Sequence, residues 1–452
     1  MKHQMLYGWR WSAAATVLAG VLCAGGAAAD LPAADTSAPA PRWWRGNLHT
    51  HTMWKEGDDF PEMAVAQYRD RGYNFVATTE HNCLAQGEKW VLAKEMARRA
   101  KMDVLAAYLE RYGRDWVETR NDASAGTLEV RLKPFDEYRA LVEEHDRFLV
   151  MQSEEITDKA ENGLPIHLNA INLPELIVPC SGATVRDAIS NNVQAAHALA
   201  LRSGRAIQIE VNHVNYKWGV TAEDLAAVPG ARFFEVWNGV TDDNDPGDQN
   251  HFSSDEIWDI ANTLRLAHAG VPPLYGLATD DAHEYHGNKT RSIPGRGWVM
   301  VRAPRLTPES LLRAMALGDF YASSGVLLDA VAFDAAAGKL SVRITPCGSE
   351  TFRTRFIGTR KGANLLGKPR RDADGKVVNT TLDYRTPTGP QVGEVFREVA
   401  GITAEYTLKG DEYYVRAVVT SSGETEVPST EFKFKRAWTQ PVGWHVSTGG
   451  KP

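Results

Sequence analysis

Arg45-Gly-Asn-Leu-His-Thr-His51 carries a short apolar run onto two imidazoles, and Phe75-Val-Ala-Thr-Thr-Glu-His81 repeats the pattern further along. Similar runs are Phe148-Leu-Val-Met-Gln-Ser-Glu-Glu155, His167-Leu-Asn-Ala-Ile-Asn172, Ala206-Ile-Gln-Ile-Glu-Val-Asn-His213, Phe233-Phe-Glu-Val-Trp-Asn238 and Leu274-Tyr-Gly-Leu-Ala-Thr-Asp-Asp281. Apolar runs of this length between longer helix-like segments predict buried strands joined by crossover helices, hence an α/β fold with a parallel sheet. In such folds helices cover the other surfaces, so the carboxyl ends of the strands and the loops after them form the ligand site. Most of these runs finish on His, Glu, Asp or Asn, which predicts one shared site.

Helical patterning without internal proline spans Pro61 to Arg71, Gly87 to Leu109, Thr184 to Arg202 and Asp255 to His268, and Thr221-Ala-Glu-Asp224 fits a capped helix start. Beyond about Leu328 the pattern alternates, as in Leu340-Ser-Val-Arg-Ile344, Phe352-Arg-Thr-Arg-Phe-Ile357, Ala404-Glu-Tyr-Thr-Leu408 and Tyr413-Tyr-Val-Arg-Ala-Val-Val419. That alternation predicts antiparallel strands of a small β-sandwich-like domain over 329–452, to which no chemistry is assigned.

The chain has 452 residues, 43% hydrophobic and 24% charged, more than one domain usually holds. Residues 1–29 read as a cleaved export signal: Lys2 and Arg10 precede an apolar run from Ala13 to Ala24, and small Ala27 and Ala29 precede Asp30. The run is shorter than the roughly 20 residues of a spanning helix, so no transmembrane anchor is expected. Bulky Leu22 before Cys23 argues against lipoprotein processing. A flexible leader over 30–42, rich in Ala and Pro, then gives way to a folded domain over 43–328. The expected location is the periplasm or the exterior.

Loss of Lys2 and Arg10 takes the formal net charge from −7 to −9, which argues against stable nucleic-acid binding. Cys83, Cys180 and Cys347 have no short Cys-x-x-Cys spacing, so neither a disulfide framework nor a thiolate zinc site is supported.

His49 and His51 lie two residues apart on an extended chain and point the same way, so both can reach one metal ion. Two histidines alone are a weak signal. They gain weight from Glu80-His81, Glu154-Glu155, His167, His213 and Asp281-Ala-His283 at other strand ends. Imidazole and carboxylate suit zinc, manganese or iron, and a bridging carboxylate lets two ions activate one hydroxide between them. Adjacent strand residues point apart, so one of Glu154 and Glu155 faces away; Glu155 is favoured as ligand, with Glu154 in reserve. His145, His197, His251 and His268 lie in helix-like or loop segments and read as surface or packing residues, whereas His286 is ambiguous.

In this order the residues resemble the polymerase and histidinol phosphatase (PHP) family of metal-dependent phosphoesterases, over about Trp43 to Gly325. His49-Thr-His51 followed by Glu56-Gly57 is similar to the opening motif, with Glu56 in place of the usual aspartate. Glu80-His81-Asn82 is similar to the second motif, which commonly reads Asp-His-Asn. Ser153-Glu154-Glu155-Ile156-Thr157 is similar to the third, and Asp281-Ala282-His283 to the closing one. The resemblance implies a distorted seven-stranded (β/α) barrel with two or three divalent transition-metal ions. It implies His49, His51, Glu155 and Asp281 on one ion, Glu155, His167 and His213 on another, and Glu56, His81 and His283 on the third. Three further stretches, around Gly57 to Met63, Gly295 to Val299 and Phe320 to Gly325, look like an exported bacterial branch of the family.

The favoured function is hydrolysis of a phosphomonoester or phosphodiester, of a small molecule or nucleotide-like, by the bridged hydroxide. Lys289, Arg291 and Arg296 follow the closing motif and are candidates to grip the phosphate. Glu154 and His286 are candidate proton donors. The competing readings are hydrolysis of a carboxylic ester or amide, and a non-catalytic binding protein stabilised by its metals.

Overall fold

The computed structural model describes residues 39–287, 290–378, 380–426, 428 and 433–444. The expected export signal therefore lies outside the described residues. The chain runs through β1 (Arg42–Asn47), α1 (Pro61–Asp70) and β2 (Phe75–His81) into an insertion of β3 (Lys89–Leu92), α2 (Ala93–Ala100), α3 (Val104–Tyr112), β4 (Thr119–Arg120) and β5 (Glu129–Leu132). It continues through α4 (Phe135–Val142), β6 (Leu149–Lys159), β7 (Pro165–Ile171), α5 (Val185–Ser203), β8 (Gln208–Val211), α6 (Ala222–Ala226), β9 (Phe233–Asn238), α7 (Ser254–Leu264) and β10 (Tyr275–Thr279). Then come β11 (Trp298–Ala303), α8 (Pro308–Ala316), β12 (Phe320–Ser323), β13 (Leu328–Asp334), β14 (Lys339–Ile344), β15 (Phe352–Arg360), β16 (Glu394–Ala400), β17 (Thr403–Thr407), β18 (Glu412–Glu424) and β19 (Phe434–Thr439).

One sheet of 13 strands, in the order β10-β9-β8-β7-β6-β2-β1-β11-β12-β19-β18-β15-β16, runs through the molecule. Its first seven members are the strands expected from sequence. Their outermost members meet at one bridge beyond their ends, between Thr50 and Ala282. The other edge of β1 is taken by antiparallel β11, so the sheet continues through the expected boundary near residue 328.

The strands are not all parallel. β7 runs antiparallel to both β6 and β8. Only residues 160–164 join Lys159 to Pro165, far too few for a crossover, so a hairpin is forced. The reversal has a functional consequence. It brings the start of β7, with His167, to the same edge as the carboxyl ends of β2 and β6, where His167 sits opposite Thr157.

Residues 87–109 do not form one helix. Lys89–Leu92 pairs with β5, and Lys101 adopts a left-handed conformation (φ 59°) that ends α2. Asp103 then caps α3 by accepting from the Ala106 N–H. Elsewhere local chemistry and structure agree: Thr184 with Asp187 and Thr221 with Asp224 form capping boxes at α5 and α6.

Beyond Leu328 the strands are antiparallel. A second sheet, β13-β14-β17, buries Leu340, Val342 and Tyr406 in one cluster with Phe356, Val415 and Val419 of the main sheet. Among the described residues no helix is long and apolar enough to cross a membrane, and Cys83, Cys180 and Cys347 are unbridged.

Candidate metal centre

The segment after β1 is clamped to the end of β2. Thr50 N–H donates to Thr79 Oγ1 at 2.9 Å, and Thr52 N–H to Glu80 Oε1 at 2.9 Å. This is the role of Glu80: it holds the loop rather than facing the cluster. The clamp fixes His49 and His51 with ring centroids 5.1 Å apart. Gly57 is required nearby, since a Cβ there would lie 2.6 Å from the His51 carbonyl oxygen. That close return carries Glu56 to the rim.

Glu155 of β6 is the hub. Its Oε2 lies 3.5 Å from His49 Nε2, 3.4 Å from His51 Nε2 and 2.8 Å from His81 Nδ1. Its Oε1 lies 3.0 Å from His167 Nδ1 and 3.2 Å from His213 Nε2. Asp281 Oδ1 lies 3.3 Å from His49 Nε2, 3.1 Å from His51 Nε2 and 3.5 Å from His283 Nδ1. Glu56 reaches His81 Nε2 at 3.6 Å with its side chain half exposed. His51 and His283 stack with centroids 4.0 Å apart. The structure thus brings together all of His49, His51, Glu56, His81, Glu155, His167, His213, Asp281 and His283.

Three overlapping sets offer ligand atoms within 4.8 Å of one another: His49, His51 and Asp281; His51, His81 and His283; His81, Glu155 and His167. His49 Nε2, both ring nitrogens of His51, Glu155 Oε2 and Asp281 Oδ1 are buried without a hydrogen-bond partner among the described residues. Lone pairs left unpaired out of water cost free energy. Atoms of this kind fit a divalent transition ion. Two candidate ligands, His213 (φ 22°) and Asp281 (φ 49°), also hold backbone conformations unusual for non-glycine residues.

The electrostatics point the same way. Burial would raise Glu155, yet His81, His49 and His167 hold its carboxyl well below the usual range. Asp281 is likewise depressed, against burial, by His49, His51 and His283. Burial opposes protonation of His49, but Asp281, Glu235 and Glu155 outweigh it and keep the ring well above its ordinary value. His213, disfavoured by burial but facing Asp243 and Glu155, is pushed up to about 10, and His81, beside Glu155, to about 8. Burial and the neighbouring His283 drive His51 well down. Without a metal, protons shared among these rings balance the carboxylates; ions binding there take their place.

Some candidates lie elsewhere. Glu154 faces the opposite side of β6, where it accepts the Ile177 N–H at 2.7 Å; neighbours on a strand point apart, so it cannot join Glu155. His286 Nε2 pairs with Asp59 Oδ1 at 3.1 Å, beside the start of α1. Arg296 is buried and donates to the carbonyls of Gly239, Arg291 and Thr290, which commits its guanidinium to the loops and not to a substrate. Arg291 lines the cavity over the cluster, about 430 Å³ in volume, and pairs with Asp242 at 2.8 Å. Lys289 falls outside the described residues.

Other residues enter only with the structure. Glu235 of β9, fully buried, receives His49 Nδ1 at 2.7 Å, Thr279 Oγ1 at 2.6 Å and the His213 N–H at 2.7 Å. A carboxylate on the far nitrogen of a ligating histidine sets its tautomer and aim. Its sequence signal was a lone acid in an otherwise apolar strand. Arg99 and Lys101 of the insertion, with Asp243 and Tyr216, also line the cavity. Only the tertiary fold puts them there.

A mixed α/β fold with buried histidines and carboxylates gathered at one sheet edge defines a candidate metal centre. The chain is similar to a two-domain protein containing a predicted PHP-like metal-dependent phosphoesterase from Bacteroides vulgatus, at 14% identity over 90% of this chain and 97% of that one, with a TM-score of 0.37. It is also similar to a candidate metal-dependent phosphoesterase from Bifidobacterium adolescentis, at 14% identity over 55% of this chain and 92% of that one, with a TM-score of 0.26. No family model and no curated protein matches it. At TM-scores this low, the fold and the centre rest on the residues described above.

Proposed function

We propose that the protein is a metal-dependent phosphoesterase acting on a phosphomonoester or phosphodiester of a small molecule or nucleotide-like compound. The observation that carries this reading is the convergence of unpartnered imidazole and carboxylate atoms on Glu155 and Asp281. We further propose that two or three zinc, manganese or iron ions are held in the groups implied by the family resemblance, within a distorted barrel of β1, β2, β6, β7, β8, β9 and β10. Divalent ions there supply neutralisation of phosphoryl charge and a lowered pKa for water. The division into a hydrolase domain over 43–328 and a β-domain over 329–452 belongs to the same proposal. So does export to the periplasm or exterior, supported by the pattern of residues 1–29.

The chain's own residues orient and grip. Glu235 holds the His49 ring so that Nε2 faces Glu155 and Asp281. Arg291, on the cavity wall and paired with Asp242, is a cation that would donate to a phosphoryl oxygen. Arg99, whose guanidinium donates to the Lys55 and Gly57 carbonyls at 3.0 Å each, steadies the Glu56 loop at the cavity.

Phosphate release from mono- and diesters, and acid release from carboxylic esters, are to be assayed on one metal-loaded preparation beside His49→Ala. Phosphoester turnover lost in the variant supports the reading. Turnover of carboxylic esters alone overturns it.

A further inference from the structure

The cavity over the cluster is lined mostly by charged residues and histidines; among its described lining residues only Tyr216 and Val240 are neither acidic, basic nor histidine. They belong to the loops after β8 and β9. Tyr216 is half-buried, with its ring centroid 5.3 Å from that of His213 and 6.0 Å from that of His167. It adjoins the candidate ligands without being one.

The loop that presents this ring is held at a cost. His213, Lys217 and Trp218 all have positive φ, at 22°, 50° and 55°, conformations that persist in non-glycine residues only when the surroundings impose them. Here the imposing contacts are evident. Asn215 Nδ2 donates to the Asn244 and Phe252 carbonyls, and the Trp218 indole stacks on His251 with centroids 3.7 Å apart and planes 3° from parallel. His251 is tied in turn to Asp248 at 2.8 Å. A surface loop with no task has no need of such fixation.

We infer that Tyr216 is a specificity-determining platform on which a planar leaving group, aryl or nucleobase, stacks while its phosphate faces the cluster. This rests on the phosphoesterase reading and names the substrate class within it. The exposed Lys217 ammonium lies over the ring at 5.0 Å, and the ring itself lines the cavity. Stacking needs only the ring, so the phenol hydroxyl is dispensable.

The test uses the metal-loaded protein and two non-hydrolysable probes, phenylphosphonate and propylphosphonate, with binding read by calorimetry and metal content measured in every variant. Wild type and Tyr216→Phe are expected to bind the phenyl probe about tenfold more tightly than the propyl probe. Tyr216→Leu is expected to bring the two within about twofold while keeping its metal. Equal affinities in wild type, a preference that survives in Tyr216→Leu, or loss of metal in that variant each overturns the inference, the last because it makes Tyr216 a structural wall for His167 and His213. Turnover is measured separately: a phenyl preference without phosphoester hydrolysis sinks the phosphoesterase reading, whereas hydrolysis without the preference sinks only the platform.

Discussion

Two regions of the molecule bury charge, and they do it in opposite ways. Between α7 and β18 the Arg416 guanidinium, almost fully buried, pairs with Asp259 at 2.8 and 2.7 Å and with Asp255 at 3.1 Å, while Tyr414 donates to the same Asp259 at 2.6 Å. That network carries its own cation and fastens the C-terminal strands to a helix. In the candidate metal centre, Glu155 and Asp281 meet imidazoles and two neutral amides, with Asn212 Nδ2 donating to Glu155 at 3.0 Å and Asn238 Nδ2 to Asp281 at 3.3 Å. A network that includes its own permanent counter-charge is structural; one whose carboxylates are balanced only by protons on imidazoles can exchange those protons for a cation from outside.

The contrast can be broken most severely at Glu155. Glu155→Gln removes the charge touched by His49, His51, His81, His167 and His213, so phosphoester turnover is expected to fall by about 10²–10³-fold or more, together with metal content. Retained turnover with intact metal would place the hub elsewhere. At the other network, Asp259→Ala removes the two-point partner of the buried Arg416 guanidinium and the acceptor of the Tyr414 hydroxyl, leaving only Asp255 beside that charge. It is expected to cost about 3–5 kcal/mol in denaturant unfolding and leave turnover per folded molecule unchanged.

Glu235→Gln sharpens the comparison by weakening the aim of His49 without removing a candidate ligand; metal affinity should drop about 10–100-fold in a chelator competition while the melting temperature of the metal-free protein changes little. Protons and metal compete in this region. His213 and His81 are raised to about 10 and about 8, so they are protonated at neutral pH and must lose those protons to bind an ion. Affinity should therefore strengthen as pH rises from 6 to 8, by about tenfold per unit for each proton displaced. A pH-independent affinity would contradict the proton–metal exchange.

The smallest effect is expected at Glu154. Burial raises its carboxyl to about 8, above an ordinary value near 4.5, so its destabilising effect is absent below about pH 4 and grows as pH rises towards 8. Glu154→Gln keeps the acceptor for the Ile177 N–H. It should melt about 2–4 °C above wild type at pH 8 and match it near pH 4.

Much of this was legible in the chain. Runs such as Phe75–His81 and Phe233–Asn238 are too apolar to lie anywhere but inside, and their final residues identified the site edge. Strand alternation shows that one of Glu154 and Glu155 must face away, with Glu155 favoured and Glu154 in reserve. The reversal of β7 was written in the short Lys159–Pro165 link but is masked by the expectation of parallel strands. Arg296 and Arg99 were beyond sequence, because a long cationic side chain serves whichever carbonyls or cavity the tertiary fold sets beside it. Glu235 reads as one more strand residue until His49 is seen against it.

Metal analysis of the purified full-length protein, set beside Glu155→Gln prepared in the same way, is the most direct measurement. At least two equivalents of divalent transition metal per wild-type chain, reduced in the variant, are predicted. A wild-type chain that is folded, takes up no transition metal when it is supplied and still hydrolyses phosphoesters would contradict the assignment of this cluster as a metal centre.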